Sequence, residues 1–307
     1  MSFSTEAATP ELAAIRAVLM ADPLWAAYGL ADLQPQFAPY CRWYLADSPA
    51  GPGLILLFSG LTPPVLLTVG TVDGVEAALD QAPLPETIYM SARLEHLPAL
   101  QARYDFGGDV RPMLRMALVN PDRNSPSVST RGSAPRGHPE FLPGYLRQTV
   151  PVAPASAGTA PDVVPIRLTP ADGARLRALY AHGGDFAPDA FDPYQVENGV
   201  FYGIQDDQGR LLAAGGTHIV DWRQGVAAIG NVYTRPDCRG RGYGAAVVQA
   251  VVAELRSLDV AHIVLNVDQR NQGARRLYTR LGFTVHCPFV EGIGHNLNTK
   301  SREHQTT

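Results

Sequence analysis

Apolar residues in the C-terminal half of the chain recur in two rhythms. "VPIRLT", "GVFYGIQ", "RLLAAGGTHIV" and "VAAIGNVYT" are short runs rich in β-branched and aromatic residues, bounded by turn formers, which predicts strands. The links "DDQG" and "DWRQG" join the last three as an antiparallel meander. "PADGARLRALYAH", opened by Pro and Asp, predicts a helix. Beyond Tyr243 the period lengthens. Val247, Val248, Val251, Val252, Leu255 and Leu258 share one helical face, with Glu254, Arg256 and Ser257 opposite. "HIVLNV" is a buried-type strand, and its connection through a helix sets it parallel to the strand before. A second helix, "NQGARRLYTRLG", starts at an Asn271 cap and stops at Gly282, and "FTVHCPFV" closes the sheet.

The N-terminal half echoes this order: strand "VLLTVG", helix "VDGVEAALDQ", strand "ETIYMSA", helix "LEHLPALQARY", strand "PMLRMALV". Even "QARYDF" parallels "YTRLGF". Between the halves, "NPDRNSPSVSTRGSAPRGHPE" and "PVAPASAGTAP" are rich in Pro, Ser, Gly and Ala and read as a connector, with "EFLPGYLRQ" as a short docked piece. The expected division is a first domain over 1–120, a linker over 121–162 and a second domain over 163–307.

Composition narrows the chemistry. The chain has 307 residues, 46% of them hydrophobic, enough for two domains. A net charge of -4 speaks against a general nucleic-acid binder. Cys41, Cys238 and Cys287 have no metal-ligand spacing, so no metal is expected and a reducing compartment is. The first residues lack the basic start of a signal peptide, and no apolar run approaches the roughly 20 residues of a membrane span. The expected location is cytoplasmic. Lys300 is the sole lysine, which excludes a Walker-type phosphate loop and an internal Schiff base. Neither GxSxG nor HExxH is present.

The chemistry concentrates in "RPDCRGRGYGAAVV", where alternating glycines and arginines lead directly into the long helix. Gly240, Gly242 and Ala245 fit a dinucleotide fingerprint, with Asp268 ending the next strand. A dinucleotide fold, however, runs its first strand almost straight into the first glycine. Here five residues intervene, antiparallel strands precede, and only about 40 residues follow "HIVLNV" for further βα units. The alternative is a pyrophosphate held by successive N–H groups from Arg239 to Gly244, with the positive end of a helix behind them.

The stretch "VYTRPDCRGRGYGAAVV" resembles the acyl-CoA-binding signature R-x-x-G-x-G/A of the GNAT acyltransferase superfamily, with Arg239, Gly242 and Gly244 at its defined positions. "NQGARRLYTRLGF" is similar to that superfamily's next segment, with Asn271, Ala274, Tyr278, Gly282 and Phe283 in place. The resemblance covers roughly 163–290. The N-terminal half is similar to the degenerate partner domain of glycine N-acyltransferase-like members.

This resemblance implies an α+β GNAT fold: a mixed, centrally splayed sheet flanked by helices, preceded by a second GNAT-like domain. It implies acetyl-CoA or another acyl-CoA as co-substrate, a small-molecule amine or peptide as acceptor, no membrane or nucleic-acid partner, and a monomer or homodimer. Arg239, Gly240, Arg241, Gly242, Tyr243, Gly244 and Ala245 would cradle the pyrophosphate. Val232, Tyr233 and Thr234 would flank the pantetheine arm, and Asn271 would contact it or cap its own helix. Tyr278 is the candidate acid, although Ala274, Leu277, Tyr278 and Leu281 also form an apolar face on which a core tyrosine would look the same. Where relatives often carry a basic carboxylate this chain has Asn231, which leaves His218, Glu291 or a water chain as base. Cys238 reads as a loop residue. Asp185, Phe186 and Tyr194 are expected along the acceptor loop. A non-catalytic acyl-CoA-binding protein is the alternative.

Overall fold

The computed structural model describes residues 10–118, 164–188 and 191–298, and the connector expected over 121–162 lies outside them. The N-terminal half runs α1 (Pro10–Ala21), α2 (Ala27–Asp32), β1 (Cys41–Ala46), β2 (Gly53–Phe58), β3 (Val65–Gly70), α3 (Val72–Gln81), β4 (Thr87–Arg93), α4 (Leu97–Gln101), β5 (Tyr104–Asp105) and β6 (Arg111–Leu118). The C-terminal half runs β7 (Ile166–Arg167), α5 (Gly173–Tyr180), α6 (Pro193–Asn198), β8 (Phe201–Gln205), β9 (Leu211–Asp221), β10 (Val226–Thr234), α7 (Tyr243–Ser257), β11 (His262–Asp268), α8 (Gln272–Arg280) and β12 (Thr284–Asn296). The meander, both helices after it and the parallel strand fall where the periodicity puts them. Leu258 does not join the buried face of α7: it is the C-cap and is 50% exposed.

All the described strands belong to one mixed sheet, ordered β1-β2-β3-β4-β12-β6-β11-β10-β9-β8-β7, with β5 beside β12. This corrects the expectation that "FTVHCPFV" closes the sheet of its own half. β12 instead pairs antiparallel with β4 and β6, and β6 takes the place beside β11. Each half thus lends its last strand to the other. β12 also runs on through "EGIGHN", where glycines admit close neighbours: a Cβ on Gly292 would stand 2.2 Å from the Asp109 carbonyl oxygen.

Two features of β10 shape the centre. Its parallel pairing with β11 spans only Val226↔His262 to Ile229↔Leu265, after which the two strands part. Against β9 its register slips between Gly230↔Gly216 and Tyr233↔Ala214, so two residues oppose one; Asn231 takes φ 53° at this bulge. The helices divide between the two faces. Val248, Val251 and Leu255 of α7 and Tyr278 of α8 pack on Ala227, Ile229, Ile263, Leu265 and Val267. Ile15, Leu19, Trp25 and Leu30 of the N-terminal segment cover Ala228, Val264, Met113 and Phe289 on the opposite face. The result is an α+β architecture with a centrally splayed sheet flanked by helices. Among the described residues no helix is long and apolar enough to cross a membrane.

Candidate active site

The loop between β10 and α7 is an open array of donors. Gly240 and Gly242 sit at φ 78° and 80°, a region that side chains with a Cβ rarely adopt, and Gly242 is the N-cap of α7. Backbone bonding resumes with the Ala246 N–H donating to the Gly242 carbonyl at 3.0 Å. From Gly240 to Ala245 no N–H has a partner among the described residues. Six consecutive free donors at the start of a 15-residue helix, with arginines alongside, suit a polyanion. Arg239 is exposed; its Nε donates to the Thr234 carbonyl at 3.2 Å and its guanidinium lies 5.9 Å from the Tyr233 ring. Arg241 is held by the Asp237 carbonyl at 3.4 Å. A Cβ on Gly244 would stand 3.3 Å from Leu277 and 3.4 Å from the Thr234 hydroxyl, so the loop, the end of β10 and α8 converge closely. Tyr243 and Cys238 are buried with Val247, Ile204 and Ala213 beneath the loop. Asp268 is paired with Arg270 at 2.6 Å.

Beside the parting strands stands Tyr278. It is 8% exposed, its ring meets Phe283 at 6.0 Å, and its hydroxyl has no hydrogen bond among the described residues. Burial pushes its pKa up to about 12, so the phenol is a protonated donor at neutral pH. Asn271 caps α8, its Oδ1 accepting from the Ala274 N–H at 3.0 Å. Val232 packs toward the α7 side of the sheet and Tyr233 toward the α5 side, its hydroxyl donating to the Gly183 carbonyl at 2.7 Å. The Tyr180 hydroxyl donates to the Asn231 carbonyl at 3.0 Å and holds the bulge.

The opposite face carries the polar groups that the sequence left scattered. The His218 ring lies directly over Gly230, where a Cβ would meet it at 2.2 Å, and its Nδ1 is 3.1 Å from the Tyr28 hydroxyl. Burial pushes the Tyr28 pKa up to about 12. Glu291 accepts from the Tyr89 hydroxyl at 2.8 Å and from Asn266 Nδ2 at 3.4 Å. Asn231 Nδ2 donates to Gln195 Oε1 at 2.7 Å. Both base candidates therefore belong to one face, and Tyr28 and Tyr89 come from the N-terminal half. No sequence signal marked either tyrosine; 190 residues separate Tyr28 from His218. Of the acceptor-loop residues, Phe186 and Tyr194 are 44% and 41% exposed, and Tyr194 meets Phe37 at 5.9 Å.

The N-terminal half shows why its echo lacks a cradle. α3 connects the parallel pair β3 and β4 as α7 connects β10 and β11. Its start is closed, however. The Thr71 hydroxyl accepts from the Gly74 N–H at 3.2 Å, and a Cβ on Gly74 would stand 2.3 Å from the Gly53 nitrogen. Backbone already fills the place an anion would need.

Comparison with known proteins agrees with this geometry. Residues 173–283 match the family model "Acetyltransferase (GNAT) family". The chain is similar to the mycothiol acetyltransferase of Geodermatophilus obscurus, 39% identical over 67 residues, or 21% of this chain and 22% of that protein. The matched stretch thus spans about a fifth of that relative's length. Among solved structures it is similar to a Drosophila protein (15% identity, TM-score 0.56, covering 91% of this chain and 88% of that one). It is also similar to a putative GNAT-family acetyltransferase from Novosphingobium aromaticivorans (19% identity, TM-score 0.49, covering 89% and 96%).

Proposed function

We propose that the chain is an acyl-CoA-dependent N-acyltransferase that moves an acetyl or short acyl group directly to a primary amine of a small molecule or peptide. The observation that carries this reading is the run of free N–H groups from Gly240 to Ala245, placed beside a gap between parallel strands. Those amides and Arg239 would hold the pyrophosphate, and the pantetheine arm would lie along Val232–Thr234 in the gap. The acceptor amine would come from the α2 and α6 face.

The amine nitrogen attacks the thioester carbonyl, the C–S bond breaks, and the amine proton passes to a base. His218, whose Nδ1 lies 3.1 Å from the Tyr28 hydroxyl beside the bulge, is one candidate base, and Glu291 is the second group on that face. Tyr278 would give its proton to the departing thiolate, since its buried phenol is protonated at neutral pH. The N-terminal half is then a copy whose own anion site is closed. Thiol release from acetyl-CoA, measured with a panel of amines, tests the reading. Amine-dependent release supports it, and CoA binding without release for any amine would favour the non-catalytic alternative.

A further inference from the structure

Arg115 is an uncommon residue for the middle of a sheet. It sits on β6, the strand that the N-terminal half inserts beside β11, and it is 0% exposed. Its guanidinium is boxed by three rings, 5.2 Å from Trp25, 5.0 Å from Tyr28 and 5.6 Å from Phe289. Yet Nε and Nη1 are buried with no hydrogen-bond partner among the described residues, although Glu291 and Asp22 act on the charge electrostatically. Rings attract the face of a guanidinium, but they leave its in-plane N–H donors unsatisfied. A buried cation with free donors is costly unless an anion completes it.

Two orphaned acceptors accompany these orphaned donors. Asn266 is the cross-strand partner of Arg115, so both project from the same face, and Asn266 Oδ1 is buried without a partner. Asn231 Oδ1, across the gap on β10, is buried without a partner as well. The two carbonyl oxygens flank the place where β10 and β11 part, and the Tyr28 ring that covers Arg115 carries the hydroxyl facing His218. Acceptors suited to an ammonium or amine thus lie beside the gap, and donors suited to an anion lie one strand further on.

We infer that the N-terminal half completes the acceptor pocket, with Arg115 holding a carboxylate or comparable anionic group of the amine acceptor. The inference rests on the acyl-transfer reading and adds the acceptor's charge to it. Neighbouring strands are about 4.8 Å apart, so amine and anion would be separated by roughly 5–10 Å, as between the carboxylate and the terminal amine of an ω-amino acid or of lysine, and farther than in an α-amino acid. Asn231 and Asn266 would orient the amine, and the aromatic box would shield the ion pair from water. The half whose own anion site is closed would then choose the substrate of the other half.

The test uses the full chain with lysine, a series of linear ω-amino acids and the carboxamide of each. The wild-type protein should acylate its best acid with kcat/KM about 10²-fold or more above the matching amide, because an amide leaves the guanidinium unanswered. In Arg115→Met, of similar length but uncharged, that acid-to-amide ratio should fall to near one, whatever the absolute rate. The acid should also raise the Tm of the wild-type protein and not that of Arg115→Met. A ratio near one in the wild-type protein, or a ratio preserved in Arg115→Met, overturns the inference. If Arg115→Met does not fold, Arg115→Lys, which keeps the charge but not the fork, is read instead: an intermediate ratio supports the inference and an unchanged one overturns it. If no amine is acylated, the transfer reading falls alone. The Tm shifts then decide the anion site, equal or absent shifts with acid and amide counting against it.

Discussion

The cradle can be tested with two substitutions of equal backbone cost. Gly240 and Gly209 sit at φ 78° and 76°, and a Cβ at either would meet nothing within 4 Å. Gly209 lies in the turn between β8 and β9, and Gly240 lies in the loop before α7. Placing alanine in the left-handed region costs about 1–2 kcal/mol at each site. Both variants should therefore melt only a few degrees lower, at roughly 2–4 °C per kcal/mol for large domains. Their CoA affinities should diverge. A Cβ on Gly240 projects into space that holds no protein atom but lies beside the free amides, where the pyrophosphate is proposed to sit. Displacing a phosphate oxygen there should weaken CoA by about tenfold or more, equivalent to 1.4 kcal/mol, while Gly209→Ala leaves binding unchanged. Calorimetric titration with CoA, alongside melting curves, reads both quantities. Equal affinities in the two variants at equal Tm loss would refute the cradle.

Further outcomes follow from the same geometry. Gly242→Val forces a β-branched residue to φ 80° at the N-cap of α7 and should abolish CoA binding while circular dichroism stays native-like. Tyr278→Phe preserves the ring contact with Phe283 and removes a hydroxyl that bonds nothing described, so Tm should hold while turnover falls by about 10²–10⁴; unchanged turnover returns Tyr278 to a core role. Because burial raises the Tyr278 pKa from 10.0 to about 12, its contribution to stability is intact below pH 10 and is lost as pH rises through 12. An alkaline loss of rate below pH 9 that disappears in Tyr278→Phe would contradict that. A fragment lacking residues 1–118 removes β6 from between β11 and β12, and it should aggregate through the bared edges; a soluble, CoA-binding monomer would show that β6 is dispensable.

The segment from Val226 to Gly282 was legible because its signals are local. Glycine spacing, an Asn cap and a 3.6-residue period each act within one turn or one helix, and α7, β11 and α8 stand where those patterns put them. The strand exchange was not legible. Alternation along β12 says which side chains face a core, and a strand of either half satisfies that pattern equally; neighbour choice depends on packing at long separations such as the 167 residues between Ala117 and Thr284. The acceptor face was illegible for a related reason. Arg115 reads as an ordinary charge in "PMLRMALV", and only the insertion of β6 beside β11 brings it next to Asn266 and beneath Tyr28. Tyr278 lies between these cases, since its apolar face was visible and its unbonded hydroxyl was not.

The central claim is direct transfer of an acyl group from CoA to an amine within this site. A single-turnover reaction of the full chain in excess over acetyl-CoA, quenched over time in the presence of a good amine and analysed by mass, measures it most directly. Acylated amine should appear at the same rate as free CoA thiol and in equal amount, with no acylated protein at any time, and Gly242→Val should form neither product. Thiol released without acylated amine, or an acyl group first found on the protein, would contradict the account.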